Sequence, residues 1–484
     1  MGALIAVVDK KGGDATQPAI TMLSTLSSSS TEAFGIASSS NVKTVSRINA
    51  LRKLDLNSPV VIGHRFSRIL RSDSPQPILL KGVAIALEGR TYSEEENPQL
   101  EPFAGDLQKS SKQAARAFIE KLSGDYAFVL AKSTRLIAGR DAVGARPLYY
   151  GENTMFAALA SQRKALWKIG IETTYSFPPG HVALADEKGF RFERVKTLTY
   201  SKPKPTSMQA AAKKLETLLR NSTMQRVTAL KEVAVAFTGG LDSSIIALLV
   251  RELGLDVQLI HVSLENQTET QHARKAAELL GLPIQVRLFK EEDVEEAVPK
   301  VLCLIEEADP LKTSIGIPVY WTAQQAARMG FKVMLAGQGA DELFGGYRRY
   351  LDDYVWHGEG RVRKRIFNDI VEIHETNLER DFKICNFHNV ELRLPFAAFE
   401  IAKFAIGLPV KLKIDPHPES LRKLVLRKVA ERIGLPERIV KKPKKALQYT
   451  TGVDRALKRL ARGQSVTVKD YLQKTFHKTL KETI

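Results

Sequence analysis

The sequence predicts an α+β domain followed by a doubly wound α/β domain that ends in a mostly helical part. Three observations predict it. Residues 1–200 alternate short apolar segments with turn residues, residues 208–337 alternate helical and strand periods, and residues 350–484 run mostly in a helical period. With 484 residues, 44% hydrophobic and 26% charged, the chain has the composition of a globular protein and the length of two or three domains. Two cysteines, Cys303 and Cys385, exclude a disulfide framework and a four-cysteine zinc site. No apolar run approaches the ~20 residues of a membrane helix. The opening MGALIAVVDKK lacks the basic start and long apolar core of a signal peptide. A soluble, cytoplasmic protein without a membrane partner is expected.

In the first domain VAIALEG (83–89), YAFVLAK (126–132) and LIAGRD (136–141) read as antiparallel strands, and QAARAFIEKL (113–122) as a helix. The serine-rich TLSSSSTEAFGIASSS (25–40) reads as a flexible loop on composition. VKTLTYSKPKPTSM (195–208) has no apolar period and marks the boundary between domains 1–200 and 201–484. Beyond it come a helix (208–227), the strand EVAVAF (232–237), a helix (242–253), the strand VQLIHVSL (257–264) and a helix (272–282). The strand PIQVRLF (283–289), a helix (320–330) and the buried strand KVMLAG (332–337) follow. Strands separated by helices pair in parallel through right-handed crossovers.

Basic residues exceed acidic ones by 18 over the chain, and residues 401–484 alone carry 21 Lys/Arg against 7 Asp/Glu. A tail of that charge invites a nucleic-acid partner. No aromatic-rich RNA motif accompanies it, so solvated helical faces, with a few lysines aimed at a polyphosphate, are favoured. Specific nucleic-acid binding is not expected.

The chemistry is concentrated in two glycine turns. FTGGLDSS (237–244) follows a buried strand and opens a helix, where Gly239 and Gly240 let backbone N–H groups converge. Ser243 and Ser244 add hydroxyl donors, while Asp242 repels phosphate unless a cation such as magnesium lies between them. The alternative for this turn alone is a strand–helix corner capped by Asp and Ser, with the phosphate reading preferred. MLAGQGADELFGGYRRY (334–350) repeats the pattern with Gly337, Gly339, Asp341, Glu342, Gly345 and Gly346. Two such turns at the C-terminal edge of one sheet hold a magnesium polyphosphate between them.

FTGGLDSS resembles the SGGLDSS pyrophosphate loop of the ATP pyrophosphatases, with Thr238 for the first serine. AGQGADELFGGY resembles the matching loop of the asparagine synthetase family, and VELRLPF (390–396) and LRKLVLRKVAERIGLPERIVKKPKKALQYTTG (421–452) extend the resemblance. It spans about residues 210–452. The resemblance implies an ATP-pyrophosphatase domain that uses ATP and Mg2+. Such a domain adenylates a carboxylate, with aspartate the first choice, releases pyrophosphate, and passes the acyl group to ammonia or another amine. By the same resemblance Ala236, Thr238, Gly239, Gly240, Asp242, Ser243, Ser244, Val262, Gly337 and Gln338 contact the nucleotide. Asp242 and Asp341 hold the metal, Lys423 and Lys444 reach the phosphates, and Glu342 joins these residues in catalysis. Asp381 and Glu391 either orient the acyl substrate or pair with Arg380 and Arg393. Small molecules are the implied partners, and a homodimer stays open.

GHRFS (63–67), LSGDYAFVLA (122–131), GRDAVGARPLYYG (139–151) and ASQRKAL (160–166) are similar to the N-terminal-nucleophile-type glutaminase domain of that family. Its chemistry is missing. Gly2 and Ala3 stand where a nucleophilic cysteine is needed, and LSSSSTEAFGIA replaces the RGPD loop. LEGRT (87–91) puts Glu88 in place of a substrate-binding asparagine, while Arg65 remains. Glutaminase activity is not expected. In the second domain Gln338 replaces a glutamate thought to take the proton of ammonia. Either another base such as Glu342 serves or the amine is different, as in the related β-lactam synthetases and lasso-peptide cyclases. A catalytically silent regulatory homologue is the reading from a different class.

Overall fold

The computed structural model describes residues 2–92, 111–417, 420–443 and 450–483. The chain divides into two units. The first comprises Met1–Thr197, Leu378–Asn389 and Leu480–Ile484; the second comprises Leu198–Asn377 and Val390–Thr479.

In the first unit two antiparallel sheets lie between helices. The seven-stranded sheet runs in space Tyr175–Ser176, Tyr149–Glu152, Phe156–Ala160, Gly2–Asp9, Val60–Phe66, Ala33–Ala37 and Val42–Val45. The six-stranded sheet runs Gly189–Arg194, His181–Asp186, Arg135–Arg140, Gly124–Lys132, Val83–Thr91 and Ile78–Leu80. The inner strands read as continuous apolar runs because both of their faces are buried. Along Gly2–Asp9, Ala3, Ile5 and Val7 face the helices Thr16–Thr25 and Arg163–Trp167. Leu4, Ala6 and Val8 face the other sheet. The second sheet follows the same rule: Tyr126, Phe128 and Leu130 pack on the helix Ser111–Lys121, and Ala127, Val129 and Ala131 point inward. Small inward residues let the two sheets approach.

One expectation is corrected here. Part of the serine-rich stretch 25–40 is a strand, Ala33–Ala37, held between Val60–Phe66 and Val42–Val45. The serines only flank it, and AFGIA supplies a narrow strand. A Cβ on Gly35 would fall 1.9 Å from the Gln76 carbonyl oxygen, so the position requires glycine.

The second unit is built on a five-stranded parallel sheet in the order Ile284–Phe289, Asp256–Leu264, Glu232–Ala236, Val333–Leu335 and Glu391–Arg393. In chain order the strands run 3-2-1-4-5, so the winding reverses between Glu232–Ala236 and Val333–Leu335. A crevice opens at the C-terminal ends of two such strands. Helices Val453–Gly463 and Val468–Thr483 close the chain. The helix Glu379–Phe387, expected within domain 201–484, belongs to the first unit. Its Glu379, Arg380, Asp381, Lys383 and Asn386 are all buried. That polar inventory hides the contact from any reading based on apolar periodicity. Among the described residues no helix is long and apolar enough to cross a membrane.

Candidate active site at the sheet switch point

Both glycine turns leave the sheet at the reversal. After Glu232–Ala236 the chain turns through Gly239, at φ +64°, where a Cβ would lie 2.8 Å from the Ala273 Cα. The helix Leu241–Glu252 then starts on Gly240 with no side-chain cap. The Thr238 and Gly240 N–H groups make only long bonds to hydroxyls, at 3.3 Å. A helix start without a capping side chain, preceded by turn amides that make only long bonds, is suited to an anion. Neither Asp242 nor the serines cap this helix, so the strand–helix corner is not a capping device.

After Val333–Leu335 the second turn is pressed against the first. A Cβ on Gly337 would sit 2.8 Å from the Asp242 Cβ and 3.1 Å from the Ser243 nitrogen. Gly339 (φ +93°) and Gly345 (φ +74°) bracket the short helix Ala340–Phe344. A Cβ on Gly346 would overlap the Asp341 carboxylate and the Lys423 Cε. This close approach brings Asp242 and Asp341 to one cation. The Lys423 ammonium lies 2.6 Å from Asp242 Oδ2 and 2.6 Å from Asp341 Oδ1. The sequence assigned that place between the aspartates to magnesium and sent Lys423 to the phosphates; here the lysine bridges the carboxylates. Its side chain is 2% exposed against 17% for Asp242 and 16% for Asp341. Lys423 also holds a left-handed backbone (φ 62°, ψ 43°) just ahead of the helix Leu424–Arg432, a strained state for a side chain of its kind.

Two polar atoms in this cluster are buried without a hydrogen-bond partner, Asp242 Oδ1 and Ser244 Oγ. Buried polar groups are almost always satisfied; these two atoms leave one acceptor and one donor without a partner in the chain. A carboxylate oxygen so placed fits a divalent cation. Among the described residues no group of three or more His, Cys, Asp or Glu side chains could hold a metal alone.

Glu342 is buried beside Asp341, where Tyr347 Oη donates to its carboxylate and Asn377 Nδ2 donates at 2.7 Å. Burial, and next the neighbouring Asp341 charge, raise its pKa above the ordinary carboxylate range. Ala236 and Gln338 are half-buried, Val262 is buried and Thr238 is exposed. Lys444 lies outside the described residues. Asp381 and Glu391 make the internal pairs: Arg380 Nε to Asp381 at 2.7 Å, and Arg393 Nε to Glu391 at 2.7 Å.

Sequence reasoning missed Tyr347, Asn377 and Arg427. Tyr347 closes the FGGY motif and could have been found there; Asn377 left no local signal. The Arg427 guanidinium donates to the carbonyls of Arg422 (2.7 Å), Val440 and Lys442 (3.1 Å), tying the peptide before Lys423 to the start of the basic segment. The excess charge of residues 401–484 is partly paired: Arg432 with Glu216, Lys442 with Glu269 and Arg459 with Glu291.

The asparagine synthase family model matches residues 214–362 and 352–479, and a glutamine amidotransferase domain model matches 64–168. A glutamine-hydrolysing asparagine synthetase homologue of Methanocaldococcus jannaschii is 33% identical over 391 residues, covering 71% of this chain and 72% of its own. Asparagine synthetase 2 of Arabidopsis thaliana, also glutamine-hydrolysing, is 28% identical, covering 69% of this chain and 60% of its own. Among solved structures, glutamine phosphoribosylpyrophosphate amidotransferase from B. subtilis, complexed with ADP and GMP, matches 59% of this chain and 65% of its own at 18% identity and a TM-score of 0.35. NMN synthetase from Francisella tularensis matches 58% of this chain and 95% of its own at 12% identity and a TM-score of 0.28. Both structural likenesses are too partial to add to the sequence match. The family model and the 33% identical relative make the chain an ATP-dependent carbon–nitrogen ligase. The chain belongs to the asparagine synthase family.

Proposed function

We propose that the second unit adenylates a carboxylate, aspartate first, and passes the acyl group to ammonia or another amine, while the first unit hydrolyses no glutamine. The observation that carries this reading is the pair of turns at the switch point. They place two aspartates around one buried lysine and leave Asp242 Oδ1 without a partner.

In the first step a substrate carboxylate oxygen attacks the α-phosphorus of ATP and the bond to pyrophosphate breaks. Negative charge grows on the leaving group and needs fixed positive partners. The N–H groups of Thr238–Leu241, the helix N-terminus and the Ser244 hydroxyl are the partners this chain offers, while Lys423 holds the two aspartates together. Asp242 and Asp341 would hold a magnesium ion, which when bound supplies the charge that lets phosphate sit beside carboxylates. In the second step the amine nitrogen attacks the acyl carbon, the bond to AMP breaks and the amine gives up a proton. Gln338 has no basic atom to accept it. We assign the proton to Glu342, whose burial makes it a stronger base than an exposed carboxylate.

Ammonia or another amine as donor, in place of glutamine, is supported by Glu88 and Gly2. Glu88 is buried with a raised pKa, burial being the first cause. A Cβ at position 2 would lie 2.2 Å from the Arg65 carbonyl oxygen and 2.4 Å from His64 Nε2. The test is ATP–pyrophosphate exchange over a panel of carboxylates, with glutamate release from glutamine followed beside an ammonia-fed reaction. Exchange with no carboxylate at all would sink the ligase assignment, and glutamate formed in step with product would sink the assignment of the amine.

A further inference from the structure

Three groups of the first unit converge on one side chain of the helix Glu379–Phe387, and a fourth, Ser161, braces one of them. Asn386 Nδ2 donates to the Gly2 carbonyl at 2.6 Å and to Glu88 Oε1 at 3.2 Å. Arg65 Nη2 donates to Asn386 Oδ1 at 3.0 Å. Ser161 Oγ fixes the other Glu88 oxygen at 2.6 Å, and Arg65 Nη1 is anchored on the Ser27 carbonyl at 2.8 Å. Arg65, Glu88 and Asn386 are all buried. Both amide hydrogens and the amide oxygen of Asn386 are therefore read, by two acceptors on one side and a guanidinium on the other. That pattern distinguishes a carboxamide from a carboxylate, which has no hydrogen to donate, and from an ammonium, which has no acceptor.

We infer that Gly2, Arg65, Glu88 and Ser161 form a carboxamide-binding site whose ligand is supplied by the same chain, the Asn386 side chain. These residues lie where the resemblance put the lost glutaminase machinery, and with Asn386 seated no free carboxamide enters. The same contact holds the polar helix Glu379–Phe387 in the first unit. The inference concerns the first unit alone and stands apart from the chemistry assigned to the switch-point site.

The experiment is chemical rescue in the full chain, read by thermal unfolding. Asn386→Ala leaves a vacancy of carboxamide size and strands Arg65, Glu88 and the Gly2 carbonyl, so its Tm falls by about 5 °C. Acetamide restores part of that loss with half-maximal effect near ~10 mM, an affinity in keeping with a ligand of four heavy atoms. Acetate does not, because Glu88 and the Gly2 carbonyl oppose it, and neither compound shifts the wild type. Asn386→Ser, which keeps one donor, is the milder variant if the alanine protein does not accumulate, and the same ranking is expected of it. Equal rescue by acetate, no rescue by acetamide in either variant, or a shift of the wild type by acetamide as large as that of the variant overturns the inference. Since none of these readouts uses ATP, a failed ligase assay leaves them intact.

Discussion

Two polar pockets of this chain treat their carboxylates in opposite ways. Around Glu88 in the first unit each carboxylate oxygen has a donor, one from Ser161 and one from Asn386, and Arg65 spends two of its nitrogens on Ser27 and Asn386. Around Asp242 in the second unit one oxygen is buried with no partner, the Ser244 hydroxyl is likewise unpaired, and Lys423 holds a strained backbone. Leaving one buried polar group unpaired costs about 1–3 kcal/mol, and a left-handed lysine adds a cost of ~1–3 kcal/mol. The first pocket pairs both oxygens of its carboxylate and leaves its unpaired atoms on basic side chains, Arg65 Nε and His64 Nδ1. The second leaves a carboxylate oxygen and a hydroxyl unpaired, the atoms that the proposed function gives to a cation and a substrate.

The sharpest way to break this contrast is Asp242→Asn. It removes one carboxylate charge from the cation site, so ATP–pyrophosphate exchange should fall by ~100–1000-fold, in line with about 3–4 kcal/mol for a single electrostatic group. Exchange at the wild-type rate would show that the unpaired oxygen has no role. Glu342→Gln then separates the two half-reactions. The amide keeps an acceptor for Tyr347 and Asn377 but cannot take a proton. Exchange should stay within about threefold of wild type while amide formation falls ~100-fold. Equal losses in both assays would make Glu342 a packing residue.

Gly2→Ala tests the first pocket. The added methyl meets the Arg65 backbone and the His64 ring, and overpacking of this kind costs about 1–3 kcal/mol in denaturant unfolding. A variant as stable as wild type would mean the strand end is loose, and a cysteine there would again be conceivable. The smallest effect is a pH slope. Burial raises the folded-state pKa of Glu342 above its unfolded value. Its contribution to stability is therefore full below the unfolded pKa and is lost as pH rises through the folded one. Glu342→Gln does not titrate, so as pH rises above the unfolded-state pKa of a glutamate the stability difference should move in the variant's favour. Movement in the other direction would show that donation from Tyr347 and Asn377 outweighs burial.

Legibility followed the kind of force involved. The strands flanking the switch point could be read to within a residue or two, because burial on both faces leaves a continuous apolar run. Ala33–Ala37 could not, since a five-residue strand of mostly small side chains is masked by its serine neighbours. The helix Glu379–Phe387 showed its helical period but not its unit, because the surface it buries is charged. Asp242 and Asp341 were legible as a pair from the repetition of one turn pattern.

The sequence by itself determined the two-domain order, the positions of both glycine turns and the family, because local periodicity and turn chemistry are written in contiguous residues. Only the tertiary structure decided that Lys423, 181 residues from Asp242 along the chain, stands between the two aspartates. It likewise decided that Asn386, 298 residues from Glu88, fills the first pocket. A buried charge takes its partner from whatever the fold brings within about 3 Å, and no spacing along the chain records that choice.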